Sequence, residues 1–188
     1  MPLNSKIFAV CAAAMMVSSA FALTPTEKKV EKERISAEYK SAKEQCKALK
    51  GNAQDVCELQ AKGHEKVALA QLDYKAEANE SNRHKLAKTQ ADTAYDIAKE
   101  QCDDRTGNDK DVCKKDAQAA HVKALEVAKM AEVRNDPAAK PSDMANARKD
   151  ASDKTREADY KAVKERCDAL NGDAKDACTT DAKRRFGQ

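Results

Sequence analysis

Tryptophan is absent from this chain, and aromatic residues of all kinds make up only 4% of it. A chain so poor in large flat side chains cannot build a thick globular core. Glycine occurs five times and proline four times in 188 residues, too seldom to break the chain into many short elements. No segment alternates β-branched and polar residues, so strands are not expected. Charge of one sign is also lacking: 35 Lys and Arg against 32 Asp and Glu give a net charge of only +3. That mixture is neither a nucleic-acid footprint nor an acidic tail; it reads as the solvated surface of helices. What is abundant is alanine, glutamate and lysine, the composition of long helices.

The first residues read as a secretory signal peptide over 1–22. Lys6 supplies a positive start, Ile7 to Val17 an apolar run, and Ala20-Phe21-Ala22 a small-residue cleavage site. The run is too short to span a membrane, and no second long apolar segment follows. Cys11 raises the question of a lipid anchor, but Val10 before it is too large for that processing. The expectation is an exported protein, periplasmic, with no transmembrane segment after cleavage.

One unit occurs three times. Tyr39 is followed by Lys43-Glu44, Cys46, Gly51-Asn52, Asp55 and Cys57. Tyr95 is followed at the same offsets by Lys99-Glu100, Cys102, Gly107-Asn108, Asp111 and Cys113. Tyr160 is followed by Lys164-Glu165, Cys167, Gly172-Asp173, Asp176 and Cys178. Glycine after a helical stretch supplies a left-handed residue at low steric cost. Asn52, Asn108 and Asp173 are then expected as N-caps of the following helix, with Asp55, Asp111 and Asp176 three residues on, as in a capping box. The product is a tight αα-hairpin turn.

Apolar residues around each cysteine recur at alternating spacings of four and three. The expected seams are Ile35, Tyr39, Ala42, Cys46 and Leu49; Tyr95, Ala98 and Cys102; Ala117, Ala120, Ala124, Val127 and Ala131 after Cys113; and Tyr160, Val163, Cys167 and Leu170. With Cys11 removed, six cysteines allow fifteen connectivities. The repeat favours Cys46–Cys57, Cys102–Cys113 and Cys167–Cys178, each bridging one hairpin in an oxidising compartment.

The expected fold is all-α: elongated antiparallel helical hairpins, coiled-coil-like, stapled three times. Residues 23–135 carry hairpins one and two, 136–141 form a proline-bounded linker, and 142–188 carry hairpin three, read as a separately mobile unit. Helix one starts at the Thr24-Pro25-Thr26-Glu27 capping box and reaches about Leu49. Helix two runs from Asn52 to about Arg105, with soft points at Gly63 and at Asn79-Glu80-Ser81-Asn82. Helices over about 109–134, 142–170 and 174–184 follow. Glu58–Lys62, Asp111–Lys115, Asp150–Lys154 and Glu157–Lys161 stand at favourable helical spacing.

Catalytic, metal and cofactor sites are not expected. The cysteines lack the close pair spacing of a zinc site or of thiol redox chemistry. A calcium loop centred on Gly107 would place Cys102 and Cys113 where carboxylates are needed. His64, His84 and His121 are scattered, and His64 falls on the cysteine side of its helix, where a partly packed ring is expected.

The repeated tyrosine–cysteine–glycine–cysteine hairpin resembles that of uncharacterised Ala/Lys-rich bacterial exported proteins. The resemblance implies a periplasmic, helical product and little more. Composition alone resembles TolA-type helical stalks, which have no such cysteine repeat. Hairpin geometry is similar to that of twin-cysteine proteins of the mitochondrial intermembrane space, which use two bridges per hairpin. The functional expectation is a non-enzymatic cell-envelope scaffold, spacer or interaction module with a protein partner, or a second copy of itself; the alternative is a stress-protective, holdase-like protein.

Overall fold

Six α-helices account for nearly all of residues 23–188, the part of the chain that the computed structural model describes. They are α1 (Pro25–Cys46), α2 (Asn52–Ala76), α3 (Glu80–Gln101), α4 (Gly107–Asn135), α5 (Pro141–Asp168) and α6 (Gly172–Phe186). A single 3-10 turn, Cys102–Asp104, lies between α3 and α4, and no strand occurs among the described residues. The signal peptide, with Ala20, Ala22 and Cys11, lies outside them.

Local chemistry sets the helix ends. The Thr24 hydroxyl accepts from the Glu27 N–H at 3.2 Å, and a Glu27 carboxylate oxygen accepts from the Thr24 N–H at 2.8 Å. Those bonds from Thr24 hold the Glu27 carboxyl below its ordinary range. Helix α1 ends at Cys46 and α5 at Asp168, so the residues three beyond each first cysteine fall in the turns. Leu49 and Leu170, expected in the seams, are therefore 42% and 40% exposed. Gly51, Gly107 and Gly172 adopt φ of +59°, +54° and +55°, the region L side chains rarely enter.

The expected N-caps are corrected. The Gly51 carbonyl accepts from the Gln54 and Asp55 N–H groups, so glycine itself starts α2. Asn52 is the first helical residue, and its side chain donates to the Glu100 carbonyl on α3 at 3.2 Å. No side-chain cap forms at the start of α4 or α6 either.

Residues 52–105 do not form one long helix. Glu77 leaves α2 in an extended conformation, and the Asn79 side chain caps α3 by accepting from the Asn82 N–H at 2.8 Å. The Asn82 amide donates back to the Glu77 carbonyl at 2.9 Å, closing a reversal. Gly63 does not bend α2. It is buried against α3, where an added Cβ would stand 2.3 Å from the Thr93 methyl.

Substantial packing runs only between chain neighbours, α1 on α2 through to α5 on α6. The six helices therefore form an up-and-down array one helix thick. Burial matches this thinness. Among the described residues nine alanines are buried, Ile35 and Leu72 are the only large aliphatic residues in the core, and the largest fully buried side chains are Cys46, Cys102 and Cys167. Small residues let helix axes approach where bulky ones would hold them apart.

Helix α4 departs from the expected seam. Ala120 and Ala124 are exposed and Val127 is 61% exposed, whereas Ala119, Glu126 and Ala128 are buried. A helix with neighbours on both sides buries two opposite flanks, and the predicted stripe falls between them. The α5 flank carries Glu126, 7% exposed, which accepts from the Lys154 ammonium at 2.7 Å, and Lys123, which pairs with Asp159 at 2.7 Å. Asp116 and Arg166 pair on the same interface. Hairpin three is thus docked on hairpin two, and residues 136–140 are a turn between packed helices rather than the link to a free unit. Of the expected helical pairs Glu157–Lys161 forms at 2.7 Å, while Lys154 turns to Glu126 instead of Asp150.

Asp73 of α2 ties three helices, taking Lys28 of α1 and Lys85 of α3, each at 2.9 Å. Those hydrogen bonds, Lys28 first, hold its carboxyl below the ordinary carboxylate value. A depressed folded-state pKa stabilises the fold above the unfolded value, and that contribution is lost as pH falls through the folded value. The wild-type melting temperature is therefore expected to fall more steeply below about pH 4 than that of Asp73→Asn; superimposable acid limbs would show the triad adds nothing.

Candidate functional site

Because successive helices alternate in direction, the α1–α2, α3–α4 and α5–α6 corners all lie along one edge of the array. The three disulfides close those corners as Cys46–Cys57, Cys102–Cys113 and Cys167–Cys178, with Cα separations of 5.5, 5.6 and 5.6 Å. Such bridges belong to a protein that matures in an oxidising compartment. The turn residues Gly51-Asn52, Gly107-Asn108 and Gly172-Asp173 stand on the same edge. Behind two corners an aspartate follows the first cysteine and reaches across the turn. Asp103 takes Lys114 at 2.7 Å and Lys110 at 3.1 Å, and Asp168 takes Lys175 at 2.8 Å. The lysine partners, Lys114 first for Asp103, hold both carboxyls below their ordinary range. Corner one has Lys47 at that position, paired within its own turn to Glu44. Tyr39, Tyr95 and Tyr160 are half-buried between helices. Tyr95 stacks on His121 at 4.6 Å, Tyr160 tilts on Phe186 at 6.3 Å, and His121 Nε2 lies 2.8 Å from Asp92.

A layer one helix thick exposes two broad faces, and helical periodicity sorts the residues between them. On one face α2 presents Asp55, Glu58, Lys62, Glu65, Lys66 and Asp73. There α3 presents Lys85, Lys88, Asp92, Asp96 and Lys99, and α4 adds Lys114, Lys115, Lys129 and Glu132. Leu69, Val122 and Leu125 lie among these charges, half-buried. The cross-helix contacts Asp73–Lys85, Asp92–His121 and Lys129–Asp150 run on this side.

The opposite face of the same helices is nearly without charge. Helix α2 presents Val56, Gln60, His64, Val67, Gln71 and Tyr74 there. Helix α3 presents Ala87, Gln90, Ala94 and Gln101, and α4 presents Ala120, Ala124, Val127 and Ala131, with Asp109 at the stapled end and Asp116, Lys123 and Arg134 along the border toward α5. Lys75 and Arg83 mark its border at the unstapled end. His64 is exposed on this face, not partly packed as expected. On the α1 side the face gives way to a groove of ≈ 440 Å³ floored by Val30, Ile35, Ala68 and Leu72 and rimmed by the charged Glu27, Glu31, Arg34 and Lys75, with Val30 60% exposed. The exposed side chains of this face are thus mostly alanine, valine and glutamine, where the other face carries lysine and carboxylate.

The sequence does not single out these face residues. Its signal is a set of charge-free stripes at spacings of three and four, and in α4 that stripe is the expected seam, which the structure turns outward. Catalytic geometry is a different matter: among the described residues no group of three or more His, Cys, Asp and Glu side chains converges as a metal would need, and the cysteines that could act as nucleophiles are paired. No helix among the described residues is long and apolar enough to cross a membrane. Comparison with protein families, with curated proteins and with solved structures finds no match to this chain.

Proposed function

We propose that this is a non-enzymatic cell-envelope protein, exported to the periplasm, that acts as a helical scaffold or interaction module through its uncharged face. The carrying observation is the division of one thin layer into a face dense in charge and a face almost free of it. A spacer needs only stiffness, which the disulfides supply. A protein that only has to stay dissolved gains nothing from gathering Val56, Val67 and Val127 on a side with so little charge, whereas a docking surface does. The alternative, a stress-protective holdase, draws on the thin alanine core, which would let the helices open onto clients.

Crosslinking in intact cells, followed by mass spectrometry of what is attached, separates the two. One or two reproducible adducts, the protein's own copy included, support the module. A broad set of clients growing under heat or acid stress would replace it with the holdase, and steady turnover of a small-molecule substrate by the purified protein would overturn both.

A further inference from the structure

We infer that the uncharged face is where a second copy of this chain packs, so that two one-helix layers meet back to back and leave their charged faces outward. The inference rests on the reading of the protein as an interaction module and names the partner. Four observations carry it.

A stable helical domain is ordinarily built of at least two layers, because each element must bury a face against another. Here the chain supplies one, and α2, α3 and α4 pack edge to edge with nothing over either face. The missing layer is the same kind of object as the one present.

Size agrees. Helix α2 has 25 residues, about 37 Å at the helical rise. Three helices spaced by roughly 8–10 Å give a face about 27 Å wide, hence on the order of 1,000 Å² per copy. Two copies would bury roughly 2,000 Å², at the upper end of the standard stable interface.

Charge agrees. A partner of different sequence is often selected by complementary charge, and the middle of this side offers little of either sign, its charged residues Lys75, Arg83, Asp116, Lys123 and Arg134 standing at the border. Two identical faces poor in charge meet without the cost of desolvating the many charged groups that the opposite faces would have to bury.

The polar groups agree as well. Beside His64 and Tyr74, the polar side chains distributed over the patch are glutamines: Gln60 and Gln71 on α2, Gln90 and Gln101 on α3, each pair three helical turns apart. A primary amide carries both donor and acceptor, so glutamine can pair with glutamine. A two-fold interface, in which each residue meets its counterpart's neighbours reciprocally, calls for self-complementary groups of this kind.

The test is the mass in solution of the full, disulfide-bonded chain, by sedimentation equilibrium from submicromolar to tens of micromolar. A mass of two chains is expected at the upper end. Ala94→Glu and Val127→Glu, each at a site exposed in the single chain, are expected to weaken the dimer by about tenfold or more while leaving the circular dichroism unchanged. Asp96→Lys, on the charged face, is expected to leave the dimer intact. A monomer at every concentration overturns the proposal, as does a dimer broken by Asp96→Lys and indifferent to the other two. Flotation with vesicles of anionic phospholipid, lost in Ala94→Glu, by a chain that stays monomeric would assign the face to a membrane surface instead. A monomer that still crosslinks reproducibly to one other envelope protein removes the self-pairing and leaves the module standing.

Discussion

Reduction of the three disulfides is expected to abolish most of the helical signal at physiological temperature. Each bridge closes a short segment, with a sequence separation of 11 residues. On chain-entropy grounds each contributes about 3 kcal/mol, and the three together about 9 kcal/mol. A single domain is held by about 5–15 kcal/mol in total, and here the buried side chains are mostly alanine. The core cannot make up the loss. Replacing one pair, as in Cys102→Ser with Cys113→Ser, is expected to lower the melting temperature by about 6–12 °C. Thermal melts followed by circular dichroism, with and without reductant, measure both. A reduced chain that still melts cooperatively near the oxidised temperature would place the stability in the helix interfaces instead.

The second large effect is expected at Gly63. Glycine inside a helix ordinarily costs about 1 kcal/mol against alanine, so Gly63→Ala would be stabilising if space allowed. It does not allow it: the new Cβ meets the Thr93 methyl at 2.3 Å, with Ile97 behind it at 3.6 Å. Threonine is stiff about its first side-chain bond, so the methyl cannot swing clear without leaving its rotamer. Either α2 and α3 move apart or both side chains strain, at about 1–3 kcal/mol for overpacking of this kind. We expect Gly63→Ala to be destabilising by up to about 2 kcal/mol once the helix gain is subtracted. Thr93→Ala removes the obstructing methyl and leaves an ordinary contact of 3.6 Å to the Thr93 Cβ position. The double variant should therefore be more stable than Gly63→Ala, with a coupling of about 1–3 kcal/mol in a denaturant-measured cycle. Additive effects would mean the two helices are not locked at this point.

The contrast between the disulfide edge and the two faces shows which features a sequence displays. The hairpins are legible because the same residues recur at the same offsets, and a cysteine pair with a glycine between them admits one local geometry. The reversal at 77–79 is legible only as a soft point. It contains neither glycine nor proline, and is made by Asn79 and Asn82 side chains bonding to backbone groups, which also occurs in loops that do not turn back. The residue after each hairpin glycine misleads because helix entry by a left-handed glycine and helix entry by an Asn or Asp cap share the same residue pair. The uncharged face is hidden by a different cause. A heptad stripe states that one side of a helix is apolar, but not how many neighbours the helix has. With one neighbour, Ala120, Ala124 and Val127 would face it. With two, small alanines on the flanks suffice for both contacts, and the stripe is left to the surface.

Contacts confined to chain neighbours also govern how the molecule acquires its covalent links. In an unfolded chain, the chance that two cysteines meet falls as about the three-halves power of their separation. Cys57 is about four times as far along the chain from Cys102 as it is from Cys46, so the native partner is favoured roughly eightfold before any helix forms. Each corner can then close on its own, in the order in which it emerges, without waiting for distant segments to arrive. Low contact order of this kind goes with rapid folding. Oxidation should accordingly yield one connectivity from fifteen with little reshuffling, leaving an oxidant necessary for maturation and an isomerase dispensable.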